Sequence, residues 1–134
     1  MHPCRHLSPL DASLEDAWHS GLRRAIVDAG YKPLRIDKKE HANKICNEII
    51  AEIRRSRFLV ADYTRHRGGV YYEAGFAAGR GLPVILTCRK NQMTQLHFDI
   101  RQCNCIDWEE QEDLAQRLKV RIEALIGDGP LKAS

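Results

Sequence analysis

No apolar run in this chain approaches the roughly 18 residues of a membrane span, and its opening, MHPCRHLSPL, lacks the apolar region of a secretory leader. Charge of one sign is hardly in excess. A formal net charge of +3 over 134 residues is too small a bias for nucleic-acid binding, though it suits an anionic small molecule. The five cysteines are odd in number and scattered, at Cys4, Cys46, Cys88, Cys103 and Cys105. That pattern excludes a disulfide framework and leads us to expect a reducing, cytoplasmic setting. Cys103 and Cys105 with His97 would give a metal too few ligands and no second pair, so no metal site is expected and the thiols read as small buried residues. Neither G-x-S-x-G, a P-loop nor G-x-G-x-x-G occurs, so no hydrolase elbow and no phosphate cradle of those kinds is expected.

What is present is ordinary for a folded domain. Apolar residues make up 43% and charged residues 29%, and the length suffices for one domain over residues 1–134 but not for two. Leu14, Ala17, Trp18, Ala25, Ile26 and Ala29 recur at helical spacing from Asp11, with Gly30 as a stop. Leu34 to Asp37 reads as a short strand and Lys38 to Asn43 as a loop. Ile45, Ile49 and Ile53 stripe a second helix that ends near Arg55. Phe58 to Ala61 and Val84 to Thr87 are buried strands, Arg89 to Arg101 a polar loop, and Cys105 to Trp108 a last short strand. A final helix opens at Glu109-Glu110 with Leu114, Leu118, Ile122, Leu125 and Ile126 as its stripe. Residues 1–10 read as irregular, because two prolines interrupt them, and residues 127–134 as a polar tail. Strands alternating with helices predict an α/β fold with a mostly parallel sheet of four to five strands.

The densest pattern is Asp62 to Gly81, DYTRHRGGVYYEAGFAAGRG. Asp62 closes an apolar strand, the place where open α/β sheets bind ligands. If Gly69 opens a helix, Glu73 lies in its first turn, where the helix dipole favours a carboxylate. Two carboxylates would then flank one crevice. The small residues Ala74, Gly75, Ala77, Ala78 and Gly79 would let that helix approach the sheet closely.

Three segments carry a family resemblance: Val60-Ala61-Asp62-Tyr63-Thr64, Gly69-Val70-Tyr71-Tyr72-Glu73-Ala74-Gly75 and Leu82-Pro83-Val84-Ile85. With the helix before Ser56-Arg57-Phe58 and the segment Ala25 to Tyr31, the chain resembles the nucleoside 2-deoxyribosyltransferase-like superfamily over about residues 14–126. The resemblance implies a flavodoxin-like, three-layer fold related to TIR domains that cleave NAD, and cytoplasmic homodimers without a cofactor. It further implies a nucleoside, nucleotide or NAD-like substrate, Glu73 as the attacking carboxylate, and Asp62 near the sugar hydroxyls or the leaving base. Members of the family normally open with an apolar strand, which MHPCRHLSPL does not provide.

N-glycoside cleavage passes through an oxocarbenium-like centre, so a fixed carboxylate beside the anomeric carbon serves as nucleophile or charge stabiliser. Asp62 fits either the sugar-orienting role or a structural one that caps the following turn. Tyr71 and Tyr72 point to different sides of a helix, so one is expected to serve the pocket and the other to pack. Gly69 would open the site, and Arg65, Arg67 and Arg89 are candidates for a phosphate, with a solvated basic loop as the alternative. His41, His97 and Asp99 fall in loops, and Trp18 and Trp108 fit core positions. A module that binds a nucleotide signal without cleaving it is the rival function.

Overall fold

The computed structural model describes residues 4–6, 12–35, 47–64, 68–95 and 105–132. Its elements alternate along the chain: β1 (Cys4–His6), α1 (Ala12–Ala17), a π-helical stretch (Trp18–Leu22), α2 (Arg23–Asp28), β2 (Leu34–Arg35), α3 (Asn47–Arg55), β3 (Leu59–Asp62), α4 (Gly68–Gly79), β4 (Val84–Arg89), a 3₁₀ helix (Lys90–Gln95), β5 (Ile106–Trp108) and α5 (Gln111–Leu125). The strands form one sheet in the order β2-β1-β3-β4-β5, and every pairing is parallel. The single reversal of direction falls between β1 and β3. In open α/β sheets such a switch point opens a crevice at the carboxyl ends of the strands.

The first correction falls within residues 1–10, of which Cys4 to His6 are described. Cys4 to His6 is not irregular; it is the strand between β2 and β3, in register with Leu34 and Arg35 on one side and Leu59 to Ala61 on the other. Pairing on both sides outweighs the poor intrinsic propensity of the segment, as tertiary context does for strands in general.

The alternation of β3 divides the core. Phe58 and Val60 face α1, α2 and α5 in a cluster with Trp18, Leu22, Ile26, Ile85, Ile106, Trp108, Leu114, Leu118 and Ile122. Leu59, Ala61 and Tyr63 face α3 and α4, with Ile49, Ile53, Ala74, Ala77, Leu86 and Cys88. Helices therefore cover both faces of the sheet. Leu125, expected in the stripe of α5, lies past its buried part and is exposed, and Ile126 packs on the core instead. Trp18 to Leu22 widens into a π turn where Gly21 meets α5; a Cβ there would stand 2.8 Å from Leu114 Cδ2.

The tail is the second correction. Gly129 N–H donates to Ala29 O (2.7 Å), Leu131 N–H to Gly30 O (2.9 Å) and Tyr31 Oη–H to Gly127 O (2.7 Å). Gly30, at φ +96°, and Gly129 meet backbone to backbone, and a Cβ on either would fall within 2.6 Å of the other's carbonyl oxygen. Residues 127–132 are thus docked on the end of α2. No helix of the described residues is long and apolar enough to cross a membrane.

Candidate functional site

Asp62 ends β3 with its side chain almost fully buried, 4% exposed. Its Oδ1 accepts from Thr64 N–H (3.0 Å), and its Oδ2 accepts from Thr87 Oγ1–H (2.6 Å) and Trp108 Nε1–H (3.1 Å). Three donors from the ends of β3, β4 and β5 therefore converge on one carboxylate. Thr64 closes the circuit, since its Oγ1 accepts from Arg89 N–H (2.9 Å), while Tyr63 N–H donates to Thr87 O (2.8 Å). The structural alternative for Asp62 takes this form: it ties three strand ends together. The nearby Cys88 thiol feels the result, because its own burial and then the Asp62 charge push its pKa far above the ordinary thiol value.

Glu73 lies in α4, and only 1% of it is exposed. The helix opens at Gly68, so Glu73 is its sixth residue and the first turn holds no acidic side chain. This corrects the expected first-turn position. The helix dipole falls off within one turn and gives Glu73 little help. The shared crevice also changes. Asp62 follows Val60 on the strand face toward α1 and α5 and bonds Trp108 of that cluster, whereas α4 covers the opposite face with Ala74 and Ala77. The sheet separates the two carboxylates.

The aromatic pair splits between two sides of the helix, but Tyr72 does not pack as expected. Tyr71 is partly buried and its ring lies 4.7 Å from that of Tyr63, while Tyr72 is 57% exposed. Tyr63 and Tyr71 open a cleft of about 510 Å³ that continues along Ala74, Gly75, Ala78, Gly81, Leu82, Val84 and Leu86. At 3.6 residues per turn, Glu73 sits roughly 150° round α4 from the middle of that lining arc. The cleft and Glu73 are on different flanks of the helix. Gly75 and Gly79 face away from the sheet, with nothing within 4 Å of a would-be Cβ, so of the five small residues Ala74 and Ala77 are the buried ones.

Gly69 is the second residue of α4. Arg89 ends β4, partly buried, at the carboxyl edge of the sheet. Arg65 and Arg67 lie outside the described residues, as do His41, His97, Asp99 and Cys103. Two groups escaped the sequence reading. Thr87 supplies the shortest bond to Asp62. Arg35, at the end of β2, is buried, bonds Glu15 through both terminal nitrogens (2.6 and 2.9 Å), and stacks 5.5 Å from the centre of the Trp18 ring. A charged residue ending a strand beside a tryptophan-bearing helix was the only hint of that pair.

The chain finds no match among known protein families or curated proteins.

Proposed function

We propose that the chain is a flavodoxin-like domain that acts on the N-glycosidic bond of a nucleoside, nucleotide or NAD-like substrate, with the Glu73 carboxylate as nucleophile or charge stabiliser. The observation that carries the reading is the burial of Glu73. A carboxylate on the sheet-facing side of a helix is expensive to desolvate and contributes nothing to apolar packing, so such groups concentrate at functional sites. The strand order, with its switch point beside β3, supports a ligand crevice at this edge of the sheet. Asp62 enters as a positioning residue: its two oxygens are committed to Thr64, Thr87 and Trp108, so it orients the strand ends around the site. A homodimer belongs to the proposal, since the outward side of α4 (Tyr72, Gly75, Ala78 and Gly79) carries no charge.

One observation favours a second reading, a module that binds a nucleotide without cleaving it. An apolar cleft of about 510 Å³ runs past Tyr63 and Tyr71, and its lining omits Glu73. Chromatography of wild type and Glu73→Gln incubated with NAD, nucleosides and nucleotides, with and without a free acceptor base, separates the two. Base release or exchange that disappears in Glu73→Gln is the expected result. A ligand that raises the melting temperature of both proteins without turnover would replace the first reading by the second.

A further inference from the structure

Arg89 is held in place by its surroundings, and no counter-charge pairs with it among the described residues. Its backbone N–H is fixed by Thr64 Oγ1, and its guanidinium carbon lies 4.8 Å from the centre of the Trp108 ring. That ring is itself anchored through Nε1 to Asp62. The guanidinium makes no hydrogen bond or ion pair with any described residue, and its Nε is sealed from water. Arg35 and Arg117, by contrast, both have carboxylate partners. A guanidinium has five N–H donors and no acceptor, and a buried donor without an acceptor is costly.

A cleft of about 350 Å³ opens beside it, lined by Arg89, Lys90, Asn91, Glu109 and Glu110. That volume lies within the range of about 300–1,000 Å³ typical of small-molecule sites. Lys90 Nζ stands 3.3 Å from Glu109 Oε1, and both side chains are exposed. Such a pair is weak and exchanges readily for a ligand's charge. We propose that this cleft binds a small ligand bearing one phosphate or carboxylate beside hydroxyl or amino donors. Arg89, pre-oriented on Trp108, seats the anion through its two terminal nitrogens, and Lys90 adds a second cation. Glu109 and Glu110 accept from the ligand's donors and repel polyanions. The inference rests on the glycosidic reading only in giving Arg89 to a ligand.

Calorimetric titration of wild type with inorganic phosphate, ribose 5-phosphate, ribose and glycine tests it. Arg89→Met keeps the apolar stem on Trp108 and removes the charge and the donors. Binding of ribose 5-phosphate or of glycine is expected, and tells a phosphate ligand from a carboxylate one. Arg89→Met should weaken it by about tenfold or more, the equivalent of one charge-assisted hydrogen bond, and Lys90→Ala by less. If Arg89→Met fails to fold, a fluorescence titration of wild type and Lys90→Ala decides the same question, because Trp108 reports on the guanidinium above it. The inference is overturned if none of the probes binds wild type at millimolar concentration, or if Arg89→Met folds and binds like wild type. Base release by wild type without binding here would sink this inference and spare the glycosidic reading; binding here without base release would do the reverse.

Discussion

Asp62→Asn is the sharpest perturbation of the network at the strand ends. The change keeps the shape and replaces one oxygen by an NH₂ group. Oδ1 faces the Thr64 N–H, and Oδ2 faces the Trp108 Nε1–H together with the Thr87 hydroxyl. Thr87 can turn and accept, but a backbone N–H and an indole N–H can only donate. Either orientation of the amide therefore sets NH₂ against an N–H. One charge-assisted bond is lost and one buried donor is stranded, for a cost of about 2 to 4 kcal/mol. Urea unfolding at pH 7, followed by tryptophan fluorescence and circular dichroism, measures it. Trp108→Phe removes one of the two obligate donors, so in that background the amide has a side to face. The same Asp62→Asn change should then cost about 1 to 2 kcal/mol less. An Asp62→Asn protein within about 0.5 kcal/mol of wild type, or a cycle without coupling, would refute the assignment of this carboxylate as the tie between β3, β4 and β5.

Three further changes test the packing of the glycines and the buried thiol. Gly79→Ala adds a methyl group to space that is open in the single chain, so at concentrations where light scattering shows a monomer it should stabilise by about 0.5 to 1 kcal/mol; a loss of stability in that monomer would contradict the open geometry, while weakened self-association is the outcome expected on the proposed homodimer face. Gly30→Ala places a Cβ 2.6 Å from Gly129 O at a φ of +96°, and should lower the unfolding free energy by at least about 2 kcal/mol and expose the tail to limited proteolysis. Cys88 holds its proton in the folded state well above the ordinary thiol range, first through burial and then through Asp62. Its contribution to stability is therefore complete below the unfolded thiol pKa of about 8.5 and falls as pH rises, by up to about 1.4 kcal/mol per pH unit. Cys88→Ala should flatten the alkaline limb of a stability–pH curve by that slope, and an unchanged limb would contradict it.

Much of the fold was legible because alternation and helical spacing report burial directly. The run from Phe58 to Asp62 alternates between two cores as a central strand must, and Leu114, Leu118 and Ile122 lie where the 3.6-residue period puts them. The misreadings share a cause. Cys4 to His6 lacks strand propensity and is a strand only because β2 and β3 pair with it. Residues 127–132 look like a polar tail and dock because Gly30 and Gly129 have no side chains to hold their backbones apart. Both depend on partners distant in sequence, which no local pattern encodes.

The candidate site was half legible for a related reason. Closeness in sequence made Asp62 and Glu73 look like partners across one crevice. A strand sends successive side chains to opposite faces, however, and Asp62 falls on the face with Val60, toward Trp108. The chain then crosses to the other face to form α4, and Glu73 travels with it. What joins the two is the sheet itself: Asp62 fixes the ends of β3, β4 and β5, Tyr63 next to it stacks on Tyr71 of α4, and Tyr71 lies two residues from Glu73. Loss of the Asp62 tie should therefore reach Glu73 through Tyr63 and Tyr71. Asp62→Asn would then lower any base release by loosening the site and raise KM with it, and would not reproduce the complete loss expected of Glu73→Gln. Equal and complete loss in both variants, with both proteins folded, would put Asp62 in direct contact with the reacting atoms instead.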